Sequence, residues 1–179
     1  MLVVGLRHLN PAMKEVVVLR IIQNWNMHGG IGVVLREKEG DRRFVIFVDH
    51  AVGHAIIHGL ATLPSIRPLT HDLLLHVLAA LKGTLKHVVI TEAKEGMFYA
   101  TLVLESNGES HDLDARPSDA VALAARTKCP IFVEEPLLAQ MAAGQGPLKR
   151  GPISVLWPLA ENSSGVPNDE PPTPQQNPP

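Results

Sequence analysis

The stretch LKHVVITEAKEGMFYATLVLESNGESHDLDA, Leu85 to Ala115, decides the fold. Its runs of β-branched, aromatic and leucine residues are interrupted at Glu95-Gly96 and Asn107-Gly108, the kind of pair that tight hairpin turns favour. Three consecutive strands in a meander follow from that punctuation. In the middle strand Phe98, Ala100, Leu102 and Leu104 fall on one face and Tyr99, Thr101 and Val103 on the other, because side chains alternate along a strand.

Working outward, ARPSDAVALAAR (Ala115 to Arg126) opens a helix expected from Ser118 to about Lys128, and PIFV (Pro130 to Val133) adds a short strand. A last short helix is expected from about Pro136 to Ala143. On the other side, RPLTHDLLLHVLAAL (Arg67 to Leu81) starts a helix at Thr70 that should stop near Lys82-Gly83. TLPSIRP, punctuated by Pro64 and Pro68, is a loop, and a helical run precedes it from about His50 to Ala61. VVLREKEGDRRFVIFV (Val33 to Val48) reads as a hairpin turning at Glu39, Gly40 and Asp41. The expected fold is a single compact α+β domain, a mixed or antiparallel meander with helices packed on it.

At 179 residues and 45% apolar, the chain is long enough for one ordinary core. The apolar runs are broken by His, Lys or Arg well before the roughly 18 residues of a membrane span, so no membrane partner is expected. MLVVGLRHLNPAM reads as a first strand rather than a secretory signal. Cys129 is the sole cysteine, which rules out an intrachain disulfide, fits a cytoplasmic setting and reads as a small buried residue. Residues 1–143 are taken as the folded domain and 144–179, with nine of the fifteen prolines, as a largely disordered tail. Within it ISVLWPL, Ile153 to Leu159, is apolar enough to dock on the body or on a partner, or to form a collapsed patch.

A net charge of −2 and a pI near 6.5 exclude a protein that grips long nucleic acid by its overall field. With 4% aromatic residues, a base-stacking surface is equally disfavoured. A local basic site is what remains.

The two Arg-Pro units supply candidates. In each, the hydroxyl of Thr70 or Ser118 is placed as a helix N-cap, and Asp72 or Asp119 falls in the positively polarised first turn. Capping alone is one explanation of both. The other is an anion site, since free backbone amides and the Arg67 or Arg116 guanidinium converge where a helix begins. Arginine, carboxylate and histidine form a minimal kit for phosphodiester hydrolysis: Arg67, His71 and Asp72 from one unit, with Asp112, Asp114, Arg116 and Asp119 from the other. Asp112 and Asp114, two apart on one strand face, either ligate a hard cation or form a solvated edge.

HAVGHAIIH places His50, His54 and His58 on one helical stripe. Two histidines four apart can share a zinc ion, but the first and third lie about 12 Å apart at 1.5 Å per residue. His50 and His54 are therefore candidate metal ligands, with interface histidines as the alternative. There is no nucleophile elbow, phosphate loop or dinucleotide fingerprint.

Taken in order, RPLTHDLL, VVITEAKEGMFYATLVL and LDARPSDAVALAARTKCPIFVEE resemble the bifunctional nuclease domain family from about Gly32 to Met141. The resemblance implies a compact α+β domain, usually a homo-oligomer, with nuclease activity on DNA and RNA. VDHAVGHAI departs from the family pattern, with Val52 and Gly53 where an acidic residue and an alanine are typical, and Glu15 to Gly30 looks like an expansion. The resulting expectation is phosphodiester hydrolysis with little sequence preference, with Mg²⁺ or Mn²⁺ as candidate cofactors. Asp72 and Asp119 would orient metal or water, Arg67 and Arg116, with Thr70 and Ser118, would hold the phosphate, and His71 would move a proton. The alternative is a non-catalytic homo-oligomeric binding or regulatory module.

Overall fold

The computed structural model describes residues 12–24, 30–94, 97–144 and 153–158. Three strands open it: β1 (Met13–Asn24), β2 (Ile31–Glu37) and β3 (Arg43–Val48). Two helices follow, α1 (His50–Leu60) and α2 (Thr70–Ala80), and then the meander of β4 (Gly83–Lys94), β5 (Met97–Ser106) and β6 (Glu109–Ala115). α3 (Pro117–Thr127), β7 (Ile131–Glu134), α4 (Glu135–Gly144) and β8 (Ile153–Pro158) complete the order. The sheet runs β3-β2-β1-β7-β4-β5-β6, with β8 beside β1. Every pairing is antiparallel except β4 with β7. The expected α+β meander is therefore the right-hand half of a larger mixed sheet.

The β5–β6 hairpin turns through Asn107 (φ 55°) and Gly108 (φ 80°), the left-handed pair a tight hairpin requires. The turn expected at Glu95-Gly96 lies outside the described residues, as do residues 1–11 of the proposed first strand. The first described strand is β1, a central strand flanked by β2 on one edge and by β7 and β8 on the other. Much of the segment that looked like an expansion is thus the middle of the sheet. Ile153 to Pro158 dock there, paired from Asn24 back to Arg20, so this part of the proline-rich segment belongs to the sheet. Residues 145–152 and 159–179 lie outside the described ones.

One face of the sheet carries the core. Ile21, Leu35, Phe44, Val88, Ile90, Ala100, Leu102 and Val133 are buried with Val52 and Ile56 of α1, the alanine-rich α3, and Leu137 and Leu138 of α4. The face of β5 with Phe98, Ala100, Leu102 and Leu104 is the one turned to the helices, as alternation along the strand demands. Leu19, Ile22, Val34 and Val45 form a smaller cluster of their own. Arg42 clamps the β2–β3 turn to α4, with Nε 2.8 Å from Glu37 Oε2 and Nη2 2.9 Å from Glu135 Oε2. Its bonds and charge hold both carboxyls below their ordinary range, against a smaller opposing effect of burial.

α2 differs from the other helices in having no buried residue; only Leu75 and Leu78 touch the core. It ends on Lys82, whose φ of 58° makes the left-handed stop that had been expected of Gly83. Gly83 instead begins β4, where an added Cβ would stand 2.4 Å from Leu78 Cδ1. The helix starts also shift. Leu69 and Arg116 are the N-caps, so Thr70 is the first residue of α2 and Ser118 the second of α3. Pro117 explains the second case, because its fixed φ suits the first helical position. Asp72 and Asp119 keep their first-turn places, both three residues beyond the cap.

α1 begins at Asp49, whose carboxylate accepts from Val52 N at 2.9 Å. It packs on the sheet through Gly53, where a Cβ would come within 2.5 Å of Ile31 Cδ1 and 3.0 Å of Ile31 Cβ. Ile31 is fully buried and cannot withdraw. Gly53→Val is expected to lower the unfolding free energy by about 1–3 kcal/mol through overpacking, read as an earlier urea midpoint with an unchanged slope.

Candidate functional site

α3 is the spine of the site. Its buried face, Ala120 to Ala125, packs between α1 and the sheet, and Gly59 of α1 lets the two helices approach to where a Cβ would meet Ala125 Cβ at 3.1 Å. That closeness brings the basic end of α3 to the carbonyls that end α1. Lys128 Nζ lies 3.0 Å from Gly59 O, and Arg126 Nη1 donates to Ala55 O (2.8 Å) and Ala122 O (3.0 Å). A cation suits Gly59 O, in the last turn of α1, because that end carries the negative end of the helix dipole.

Adjacent residues of the first turn of α2 reach two points on α3. His71 Nε2 lies 3.3 Å from Asp119 Oδ1, and Asp72 Oδ1 lies 2.5 Å from Arg126 Nε. Positions 119 and 126 are seven apart, two helical turns, and so share a face. Both pairs come from the first turn of α2, so that end of the helix is pinned across two turns of α3.

The two aspartates, equivalent in their own helices, have different surroundings. Asp72 accepts from its own cap, Leu69 N at 2.9 Å, and from Arg126, whose side chain is only 7% exposed. Burial raises its pKa, but the Arg126 and Leu69 hydrogen bonds, with the charges of Arg126 and His58, outweigh that and hold it below the ordinary carboxylate value. Asp119 accepts from Arg116 Nε on Oδ2 at 2.8 Å and meets His71 on Oδ1. A carboxylate can only accept, so His71 carries its proton on Nε2, and in the neutral ring Nδ1 is left as an acceptor. Arg116 is largely exposed, and Asp119 raises its pKa.

Two clefts open on this assembly. The larger, about 1070 Å³, is lined by His54, His58, Thr70, His71, Asp114, Arg116 and Asp119 among apolar residues of α1, α2, β5, β6 and α3. The smaller, about 370 Å³, is lined by His58, Ser65, Asp72, His76 and Arg126. The two Arg-Pro units do meet in space, then, but through His71 and Asp119. Asp72 lines the smaller cleft, apart from Asp119. Arg67 is exposed on the α1–α2 loop and lines neither cleft; nor does Ser118.

The metal candidates disperse. Asp112 and Asp114 sit opposite Val103 and Thr101 on β5, on one face of β6. Asp114 reaches the rim of the larger cleft, whereas Asp112 is close enough to His87 to offset part of the lowering that burial imposes on that imidazole. His50 is exposed outside both clefts, so it does not share a site with His54, which lines the larger. Among the described residues, no group of three or more His, Cys, Asp or Glu side chains is placed to hold a metal ion. In the larger cleft both Asp119 oxygens are engaged, leaving Asp114 as its other carboxylate among the described residues. Among the described residues no cage of protein oxygens is assembled for a resident hard cation; a Mg²⁺ ion held by one or two carboxylates takes its remaining ligands from water and phosphate. Val52, where the family typically has an acid, is buried against the core, so the position supplies no carboxylate. Cys129 is half-buried, and burial pushes its thiol up, away from the thiolate a nucleophile needs.

Arg126 was the residue that the sequence reading passed over. Its signal was present: in α3 it is the one charged residue beyond the first turn, seven residues from Asp119 and so on the same face.

Asp72 gives a pH prediction. Its carboxyl is held below its unfolded value, so its stabilisation is fully present above the ordinary carboxylate range and disappears as pH falls through the lowered folded value. Asp72→Asn is expected to be less stable than the parent by about 1–3 kcal/mol at neutral pH. The gap should close on acidification, measured by urea denaturation across the acid range.

No described helix is long and apolar enough to cross a membrane. Residues 33–145, more than half of the chain, match the model of the bifunctional nuclease domain. Two uncharacterized proteins of Mycobacterium tuberculosis, MT1877 of strain CDC 1551 / Oshkosh and Rv1829 of strain ATCC 25618 / H37Rv, are each 44% identical over 108 residues. That alignment covers 60% of this chain and 64% of each relative. Both Arg-Pro units, α1, α2, α3 and the whole meander fall inside the matched region, and β1 falls outside it. The chain belongs to the bifunctional nuclease domain family.

Proposed function

We propose that this protein hydrolyses phosphodiester bonds in DNA, RNA or both, with little sequence preference, at the larger cleft. The observation that carries the reading is the His71–Asp119–Arg116 chain, in which one carboxylate orients an imidazole and anchors a largely exposed guanidinium. Asp119 fixes the imidazole through Nε2–H, so Nδ1 takes a proton from water as the water oxygen attacks phosphorus. The resulting imidazolium is stabilised by Asp119 and returns the proton to the departing oxygen as the phosphorus–oxygen bond breaks. Arg116, at the amide-rich start of α3, holds the phosphate oxygens. Asp72 positions His71 by anchoring the first turn of α2. Low net basicity and sparse aromatics support contact with a short backbone stretch rather than base readout. A cytoplasmic setting belongs to the same reading.

The test uses protein freed of contaminating nucleases, single-stranded RNA and DNA, and the variants His71→Ala and Asp119→Asn. Each is expected to lose about 10²–10⁴-fold in rate while remaining folded. Cleavage should survive chelation. Variants that cut as fast as the parent would sink the assignment.

A second reading, a homo-oligomeric module, has its own observation. Leu69, Leu73, Val77 and Leu81 recur every four residues along α2 and are 41–70% exposed, with Leu74 beside them at 51%. α2 contains no Lys, Arg or Glu. An apolar stripe of this kind, on the order of several hundred Å², is the mark of an interaction surface, and pairing with its own copy satisfies twofold symmetry. Leu73→Glu with Val77→Glu is expected to convert an oligomer to monomer in sedimentation velocity with little loss of stability. Parent protein that sediments as monomer at all concentrations would remove this reading.

A further inference from the structure

The smaller cleft shares His58 with the hydrolytic site proposed above but none of its acting residues, and it holds an arginine with one unpaired donor. Arg126 is nine-tenths buried, its Nε donates to Asp72, and its Nη1 donates to the carbonyls of Ala55 and Ala122. Nη2 is buried and has no hydrogen-bond partner among the described residues. In a planar guanidinium Nε–H and Nη2 share an edge, so the unused donor lies on the side of Asp72, which lines the cleft. Buried polar groups in native structures are nearly always paired, and a charged donor left over beside a cleft calls for a ligand.

The other lining groups specify what that ligand is. Ser65 Oγ and His58 Nε2 lie 3.1 Å apart at the mouth, and His76 lines the same cleft from α2. With His58 Nε2–H donating to Ser65 Oγ, the Ser65 hydroxyl is left to donate, with Arg126 and His76, to a tetrahedral oxyanion. A space of about 370 Å³ holds such an anion with several waters, at roughly 30 Å³ each. Asp72 is the apparent obstacle, since a carboxylate repels a bare anion. Its two oxygens each make one bond, to Arg126 Nε and Leu69 N, so each keeps a free lone pair. An oxyanion that carries a hydrogen can donate it to one of them. Inorganic phosphate retains a proton at neutral pH and sulfate does not.

We propose that the smaller cleft is a binding site for hydrogen phosphate, gripped by Arg126, His76 and the Ser65 hydroxyl that His58 orients, and selected by Asp72 through the ligand's own O–H. This does not rest on the hydrolytic reading, because neither Asp119 nor Arg116 lines the cleft. The full chain, with its histidine rings isotopically labelled, is titrated with inorganic phosphate and, separately, sulfate at matched ionic strength, following the imidazole signals by NMR. Phosphate is expected to shift His58 and His76 saturably, with sulfate about tenfold weaker for want of one charge-assisted hydrogen bond. Arg126 holds three elements together, so the variants tested are His76→Ala and Ser65→Ala, each expected to weaken phosphate binding about threefold to tenfold. His50→Ala, at an exposed position outside both clefts, should leave it unchanged. Shifts that fail to saturate, an equal response to both anions, or a response confined to His71 would each overturn the proposal.

Discussion

The placement of α2 depends on the ion pair between Asp72 and Arg126. A helix with no buried residue gains little from the hydrophobic effect, yet α2 must be held in register for His71 to face Asp119. Arg126 supplies that hold from within the protein, where solvent screening is weak and its carboxylate partner is only partly exposed. Removing one partner of such a pair leaves a charge stranded in low dielectric, which costs more than the pair itself contributes. The same guanidinium bonds the carbonyl of Ala55 in α1 and that of Ala122 in α3, so three helices are registered by one side chain.

Most of this architecture was legible in local chemistry. Asn107-Gly108 adopts the left-handed turn that its residue types require, and the alternation of Phe98, Ala100, Leu102 and Leu104 names the face that meets the helices. What local pattern did not show was β1, the central strand that joins the β2–β3 hairpin to the rest of the sheet. Apart from Arg20, β1 is apolar over Val16 to Ile22, with buried residues in both clusters, and such a run lacks the alternation that identifies a half-buried strand. The docking of Ile153 to Pro158 on β1 joins residues more than 120 positions apart, a contact that no local rule describes. The helix starts moved by one or two residues because Pro117 takes the first helical position and Asp72 caps its own helix through the Leu69 amide, leaving the hydroxyls without that role.

The site was legible by composition and not by pairing. Arg, His and Asp in the two Arg-Pro units were identifiable as a set, but which of them meet is decided by how α2 lies along α3. That orientation gives two first-turn aspartates opposite duties. Asp72 is neutralised by a buried arginine and a cap amide, and its acidity is used up in structure. Asp119 is shared between an imidazole and a guanidinium that remains in contact with solvent. The proposed base must exchange a proton during reaction, and the second arrangement engages His71 through Nε2 alone while the first commits Asp72 to two fixed partners.

The apolar stripe on α2 links the two readings of the protein. Leu69 and Leu74 belong both to the exposed face of α2 and to the wall of the larger cleft, a few residues from His71. An assembly that covered that face would bury one rim of the cleft, lower its dielectric and strengthen the interactions of His71, Asp119 and Arg116. Oligomerisation and catalysis are then not rivals on this fold. On the proposed function, a monomer with an intact His71–Asp119 pair would be the weaker enzyme because the wall of its site faces water, even though the residues proposed to act on phosphate are already in place.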